Sequence, residues 1–421
     1  MTGASALPMV DRAEGVMIVD TDGREYVDGC SGTICVNIGH GVPDVLEAIS
    51  RQSRLVTFAH RSQFRNQPVE DLSAVILSIT GHGYREVVYT NSGSEAMETA
   101  LRLAMHHHAG TGRNIIVSQR PSYHGMTVGA LAVSGHPPRR RNLEGLLNGA
   151  AKLEQVSSSC DTEILPSLED WLSVLERMDP ARVAAVVLEP VGGAASGGAE
   201  TDVRTLRGLR EFCDRTGALL IADEVMTGFG RVGEWFGVTK SAITPDLLVT
   251  GKGLSGGYLP IGACIVGERV MPGISVAEVS MGHTMSGNPL AAAAALAVLT
   301  YTRDHQLVSR AREVGAYLRR ELALIAESVP FLRPPRGRGL LLGVGIEQDP
   351  ADFATTPLNR RIVDAALRNG LLVYPSGVDA RSQSVMVCPP LTIRDKEVEM
   401  LIARLTRAVS ESFVAEHVGG A

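Results

Sequence analysis

The chain has 421 residues, enough for two or three domains or for one large domain with a smaller appendage. Hydrophobic residues at 44% and charged residues at 20% exclude a disordered chain, and a net charge of −6 argues against a nucleic-acid partner. An aromatic content of 4% removes base-stacking platforms and aromatic cages, while 45 glycines with no G-X-Y period must serve turns and close backbone approaches.

The opening MTGASALPMVDRAEG has neither a basic n-region nor an apolar h-region, so no signal peptide is expected. VMIVDTDGREYVDG alternates apolar residues around Asp22-Gly23, the pattern of a β-hairpin. VPDVLEAISRQ reads as a helix with Pro43 near its start. From about residue 70, helical segments such as 94–108 and 201–216 alternate with apolar strands at 86–89, 114–118, 183–188, 218–222, 246–250 and 262–266. Apolar runs separated by helices predict a mostly parallel sheet covered on both faces. The stretch 289–302, PLAAAAALAVLTYT, is shorter than the ~20 residues of a membrane span and reads as a buried core helix. A long amphipathic helix over 303–329 follows. LLLGVGI, GLLVYP and SVMVCPP then alternate with helices at 358–369 and 395–413, a second and smaller α+β unit. The six cysteines, Cys30, Cys35, Cys160, Cys213, Cys264 and Cys388, form no CxxC pair, which points to a reducing compartment and a cytoplasmic protein.

Three of the apolar strands run into polar residues: VAAVVL into Glu189-Pro190, ALLIA into Asp223-Glu224, and DLLVT into Gly251-Lys252-Gly253. Charged residues often mark strand ends, but in open α/β sheets ligands bind where the strands end, and two acids with a Gly-flanked lysine would line one crevice there. Strand EVVY leads into Ser92-Gly93-Ser94 at the start of a helix, where free N–H groups favour a phosphate. Ser-Gly-Ser is also a common helix cap. Phosphate site, acid and lysine together are the minimal kit for pyridoxal 5′-phosphate (PLP): the lysine forms the Schiff base, and the acid keeps the pyridine nitrogen protonated.

The sequence resembles the class III (ω-amino acid) aminotransferases of PLP fold type I. The resemblance runs from GREYVDG to PPLTIRDKEV and rests on TNSGSEAMETALRLA, SYHGMTVGALAVSG, LLIADEVMTGFGR, LVTGKGLSGGYLPIGA and GHTMSGNPLAAAAALAVL, in that order. It implies a mostly parallel α/β sheet with helices on both faces plus a smaller α+β domain. The segments would be 1–55 (part of the small domain), 56–290 (the large PLP-binding domain) and 291–421 (a linking helix and the C-terminal small domain). The resemblance makes Lys252 the Schiff-base lysine and proton shuttle, with Asp223 on the pyridine nitrogen. Val225 would pack on one face of the ring and Tyr123 on the other, with His124 beside it. Ser92, Gly93 and Ser94 would hold the phosphate, and Thr284 would reach the phosphate of a neighbouring subunit in a homodimer with shared active sites. Glu189 would position the Asp223 network. Glu224 could serve that network or only the fold. A small-molecule amino donor and acceptor are the implied partners, with no nucleic acid and no membrane.

The chain also departs from the pattern. Many ω-transaminases carry a substrate-facing Trp in a GLW-type motif; SGTICVN stands there instead, with Ile34 in that place. Family members often bind a substrate carboxylate through an arginine ahead of PPL. Arg381 is the nearest, Arg61 is a second candidate, and Arg394 reads as surface. His106-His107-His108 point in different directions from a helix end, so no metal site is expected. Arg139-Arg140-Arg141 read as a solvated loop with substrate or lid contacts open, and 192–198 (GGAASGG) as a flexible loop near the crevice. The expected reaction is transamination. The alternative is another PLP reaction on an amino-acid-derived substrate, such as racemisation, amino shift, decarboxylation or carbon–carbon bond formation.

Overall fold

The computed structural model describes residues 7–147, 152–273, 282–349, 352 and 357–418, with side chains to residue 412. β1 (Val10–Glu14), β2 (Met17–Asp20) and β3 (Glu25–Asp28) form an antiparallel ribbon, and Asp22-Gly23 turns between β2 and β3 as the alternation predicts. The helices Pro43–Leu55 and Gln67–Thr80 follow, each with proline in its first turn, where the missing N–H costs nothing.

The central sheet contains β4 (Tyr84–Thr90), β5 (Ile115–Arg120), β6 (Lys152–Ser157), β7 (Val183–Leu188), β8 (Leu219–Asp223), β9 (Leu247–Thr250) and β10 (Gly262–Gly267). Its order is β4-β10-β9-β8-β7-β5-β6, parallel throughout except that β10 runs antiparallel to both neighbours. Two reversals restore direction, so β4 ends on the same edge as β7, β8 and β9.

Successive residues of these strands face opposite layers. Leu219 and Ile221 pack against the helix Gly93–His107, while Leu220 packs against the helix Val203–Thr216 and Ala222 against the layer of Gln67–Thr80 and Pro289–Asp304. Both faces are therefore apolar, and the strands read as unbroken hydrophobic runs. β6 escaped that reading because it is a partly exposed edge strand with Lys, Glu and Gln in its sequence.

The C-terminal unit contributes β11 (Leu332–Arg338), β12 (Leu341–Ile346), β13 (Leu371–Leu372), β14 (Tyr374–Ser376) and β15 (Ser384–Val387). β13 pairs in parallel with β3, which joins the N-terminal ribbon to this unit, and β11-β12-β15-β14 form a separate sheet. The expected strand GLLVYP is thus two short strands serving two sheets. β11 was not anticipated, because Pro334-Pro335 argues against a strand; it is tolerated at a sheet edge with an irregular register. The Ala-rich helix runs on to Asp304. The chain then breaks at Gln306, φ +52°, before the second helix Leu307–Glu327, so 303–329 is not one helix.

Candidate active site

Parallel pairing sets Leu188 beside Ala222 and Asp223 beside Val249, so Glu189, Asp223 and Gly251-Lys252 emerge side by side. A Cβ placed on Gly251 would lie 3.3 Å from the amide nitrogen of Gly93, so the lysine turn abuts the start of the helix Gly93–His107. The sheet edge thereby gathers Glu189, Asp223, Lys252 and the Gly93 helix start. Lys252 holds a left-handed backbone, φ +42°. That conformation costs a non-glycine residue roughly 1–2 kcal/mol and persists where surrounding structure enforces it. Burial pushes the Lys252 amine below its ordinary value, opposed chiefly by the charge of Asp223.

Asp223 is 5% exposed. One carboxylate oxygen accepts from the Val225 amide at 3.0 Å, and the other lies 2.8 Å from His124 Nδ1. Burial favours a neutral imidazole, but the hydrogen bond and charge of Asp223 outweigh it and raise His124 above its ordinary value. Nδ1 therefore donates to Asp223. The His124 amide in turn donates to Ser134 Oγ at 2.8 Å.

Glu189 is buried and accepts from the amides of Tyr123, 3.0 Å, and Gly193, 3.3 Å. Burial pushes its carboxyl up to about 7, with His124 opposing and Asp223 adding to the shift. Its hydrogen bonds fix Tyr123 and the 192–198 segment, and the residue bonded to Asp223 is His124. The Tyr123 ring is half-buried, with the Arg139 guanidinium 4.2 Å over its centroid and His136 edge-on at 5.8 Å.

At the helix start the Ser92 hydroxyl accepts from the Glu95 amide at 3.2 Å as an N-cap, and Ser94 Oγ accepts from the Met126 amide at 3.1 Å. A Cβ on Gly93 would sit 2.8 Å from Val225 Cγ2, so only glycine lets the first turn close on Val225.

The family model for aminotransferase class-III matches residues 2–409. The chain belongs to the class-III aminotransferases. It is 36% identical to the uncharacterized aminotransferase YodT of Bacillus subtilis, over 97% of this chain and 96% of that protein. It is 30% identical to an omega-aminotransferase of Caulobacter vibrioides, over 96% and 93%. A PLP-bound amine transaminase from an uncultivated Pseudomonas species superposes with a TM-score of 0.88 at 30% identity, covering 98% of both chains. This class-III aminotransferase is accordingly a PLP-dependent transferase of fold type I.

Its own residues fit that cofactor. A helix N-terminus suits the phosphate, the lysine turn touches that helix start, and a buried carboxylate is held by an imidazole whose Nε2 has no partner.

Ile34, Arg381 and residues 192–198 depart from the sequence expectation, and the other candidates take the places given below. Ile34 is 1% exposed, packs among Val191, Met226, Leu341 and Met386, and presents no surface to an opening; its exposed neighbours are Gly32 and Thr33. Arg381 donates to the Cys160 carbonyl at 3.2 Å, which ties it to an outer loop. His124 is fully buried and bonds Asp223 through Nδ1. Arg61 is exposed against Gly282, and Thr284 is exposed on the turn 283–287, whose His283 lies 3.8 Å from Glu95. Glu224 serves the fold, accepting from Thr227 Oγ1 and the amides of Gly237 and Val238. Residues 192–198 are buried, pinned by Ser376 Oγ on the Gly193 carbonyl at 2.6 Å, so this is no flexible loop. His107 accepts from the Met271 amide and His108 meets the Ala184 carbonyl, while Arg394 pairs with Glu397. Sequence reasoning left substrate contacts open for Arg139 but missed His136, and it did not foresee that both meet Tyr123. The only signal was the basic run, which nothing local ties to the site.

Proposed function

We propose that this enzyme moves an amino group between an amino acid or amine and a keto acid or aldehyde, with Lys252 holding the cofactor through Nζ. When bound, PLP supplies an electron sink for the carbanion that forms as the substrate loses its Cα proton. Lys252 serves as the base for that proton, since its buried amine favours the neutral form. Asp223, fixed in position by His124 and the Val225 amide, would meet the pyridine nitrogen. Tyr123 and Val225 would flank the bound cofactor, and Gly93 and Ser94 would hold its phosphate. Ser92 supports them as the cap.

The observation that carries this reading is the arrival of Lys252, Asp223 and the Gly93 helix start on one sheet edge. A homodimer is part of it. Exposed Phe58, Phe64 and Met285 lie on two segments joined by bonds from Asn288 to the Thr57 carbonyl and from Asn66 to the Gly287 carbonyl. A second copy covering this apolar patch would be brought against Thr284. The free cysteines support a cytoplasmic setting, and none of the described helices is long and apolar enough to cross a membrane.

The test is a half-reaction. Incubation with an amino donor and no acceptor should convert the bound cofactor to pyridoxamine phosphate by mass, and a keto acid should restore it. Product release without any aminated cofactor would overturn the reading.

A further inference from the structure

The active-site edge contains two carboxylates, Asp223 and Glu189, and one amine, Lys252. An anionic group on a substrate therefore needs a cation from elsewhere. Most arginines nearby already have other bonds. Arg231 is buried and donates to the carbonyls of Leu340, Cys388 and Pro389 and to Ser31 and Asn37. Arg140 donates to the carbonyls of Leu131, Ala132 and Ser134. Arg381 is on the Cys160 carbonyl.

Arg139 differs. Its guanidinium carbon lies 4.2 Å over the centre of the Tyr123 ring, and among the described residues it is paired with no carboxylate. Its direction is set by a short rigid turn. Pro137 begins the helix Pro137–Arg140, Arg140 ties that helix to the preceding carbonyls, and buried His136 packs edge-on against the same Tyr123 ring. Tyr123 is itself held by Glu189 through its backbone. Burial, helped by the Arg139 charge, pushes His136 down to about 4, so the imidazole beside the ring is not itself a cation. A guanidinium lying on an aromatic face keeps its N–H edge for acceptors in its own plane, the geometry that suits a two-oxygen carboxylate.

The geometry points to Arg139 as the receptor for a substrate carboxylate, with Tyr123 as the platform that orients it. This rests on the aminotransferase reading and adds to it a substrate class: amino compounds that carry a carboxylate, favoured over uncharged amines of the same length.

The test uses the PLP-loaded enzyme, its Arg139→Gln and Arg139→Lys variants, and two donor pairs: β-alanine with propylamine, and 4-aminobutyrate with butylamine. In Arg139→Gln the ratio of kcat/KM for each acid over its matched amine should fall about ten- to a hundredfold, mainly through KM, because a charge-assisted bidentate contact is lost. Arg139→Lys should lose less, since it keeps the charge without the fork. A second readout needs no turnover: propionate, titrated against the cofactor's visible absorption, should bind the Gln variant at least about tenfold more weakly.

Unchanged acid-to-amine ratios and unchanged propionate affinity would overturn the Arg139 assignment while leaving the aminotransferase reading intact. If no donor aminates the cofactor in the wild type, the aminotransferase reading fails instead, and the propionate titration still decides Arg139.

Discussion

His124 Nδ1 and Asp223 Oδ2 stand 2.8 Å apart, both buried, with the histidine deeper in the protein than the aspartate. The pair shows how a carboxylate is held in a nearly dry position: it accepts from an imidazole and from the Val225 amide. Asp223→Asn keeps the shape and loses the charge, and its kcat/KM should fall about a thousandfold, which corresponds to ~4 kcal/mol. His124→Phe should lower unfolding free energy by about 3 kcal/mol, because a buried carboxylate loses its partner. A double-mutant cycle in denaturant should show strong coupling, and additive losses would mean that the contact is incidental.

Lys252→Ala should remove covalently held cofactor and turnover and leave the fold intact. Alanine keeps the same Cβ penalty at φ +42°, so the substitution adds no backbone strain. Absorption spectroscopy, mass spectrometry and melting temperature together check this. An active variant would mean that another amine does the work.

Glu189 gives the cofactor-free protein a stability that depends on pH. Its folded carboxyl titrates near about 7, above the unfolded value of about 4.3. The folded state therefore holds a proton that the unfolded chain has lost across that window. The stabilisation is fully present below pH ~4.3 and is lost as pH rises through about 7, a decline of roughly 4 kcal/mol. Chemical denaturation between pH 4.5 and 8 should show the slope in wild type and a flatter profile in Glu189→Gln.

Ile34→Ala should act on stability. The residue is 1% exposed within an apolar cluster, so truncation leaves a cavity worth about 2–4 kcal/mol. Thermal unfolding and a donor screen are the measurements. A changed donor preference at unchanged melting temperature would restore a substrate-facing role.

Light scattering should give about twice the chain mass, and charged substitutions at Phe58 or Phe64 should shift the protein to monomers with weaker PLP retention. Both phenylalanines are exposed apolar side chains whose burial against a second copy would be favourable. Tight PLP binding by a monomer would remove Thr284 from the site.

The sequence by itself determined the sheet and the positions of Glu189, Asp223 and Lys252 at its strand ends, because both are local patterns. Strands buried on both faces read as unbroken apolar runs, and Glu189, Asp223 and Lys252 stand just where those runs stop. Only the tertiary structure decided which side chain meets which. His124 and Tyr123 are neighbours in sequence, yet one turns under Asp223 while the other carries Arg139 on its ring. Ile34 occupies a recognisable motif position, but its left-handed backbone directs it into the core. The break at Gln306, the proline-bearing edge strand β11 and the division of GLLVYP between two sheets were likewise hidden. The partners of His124, Ile34 and β13 lie far along the chain, and periodicity records only whether a residue is buried, never against what.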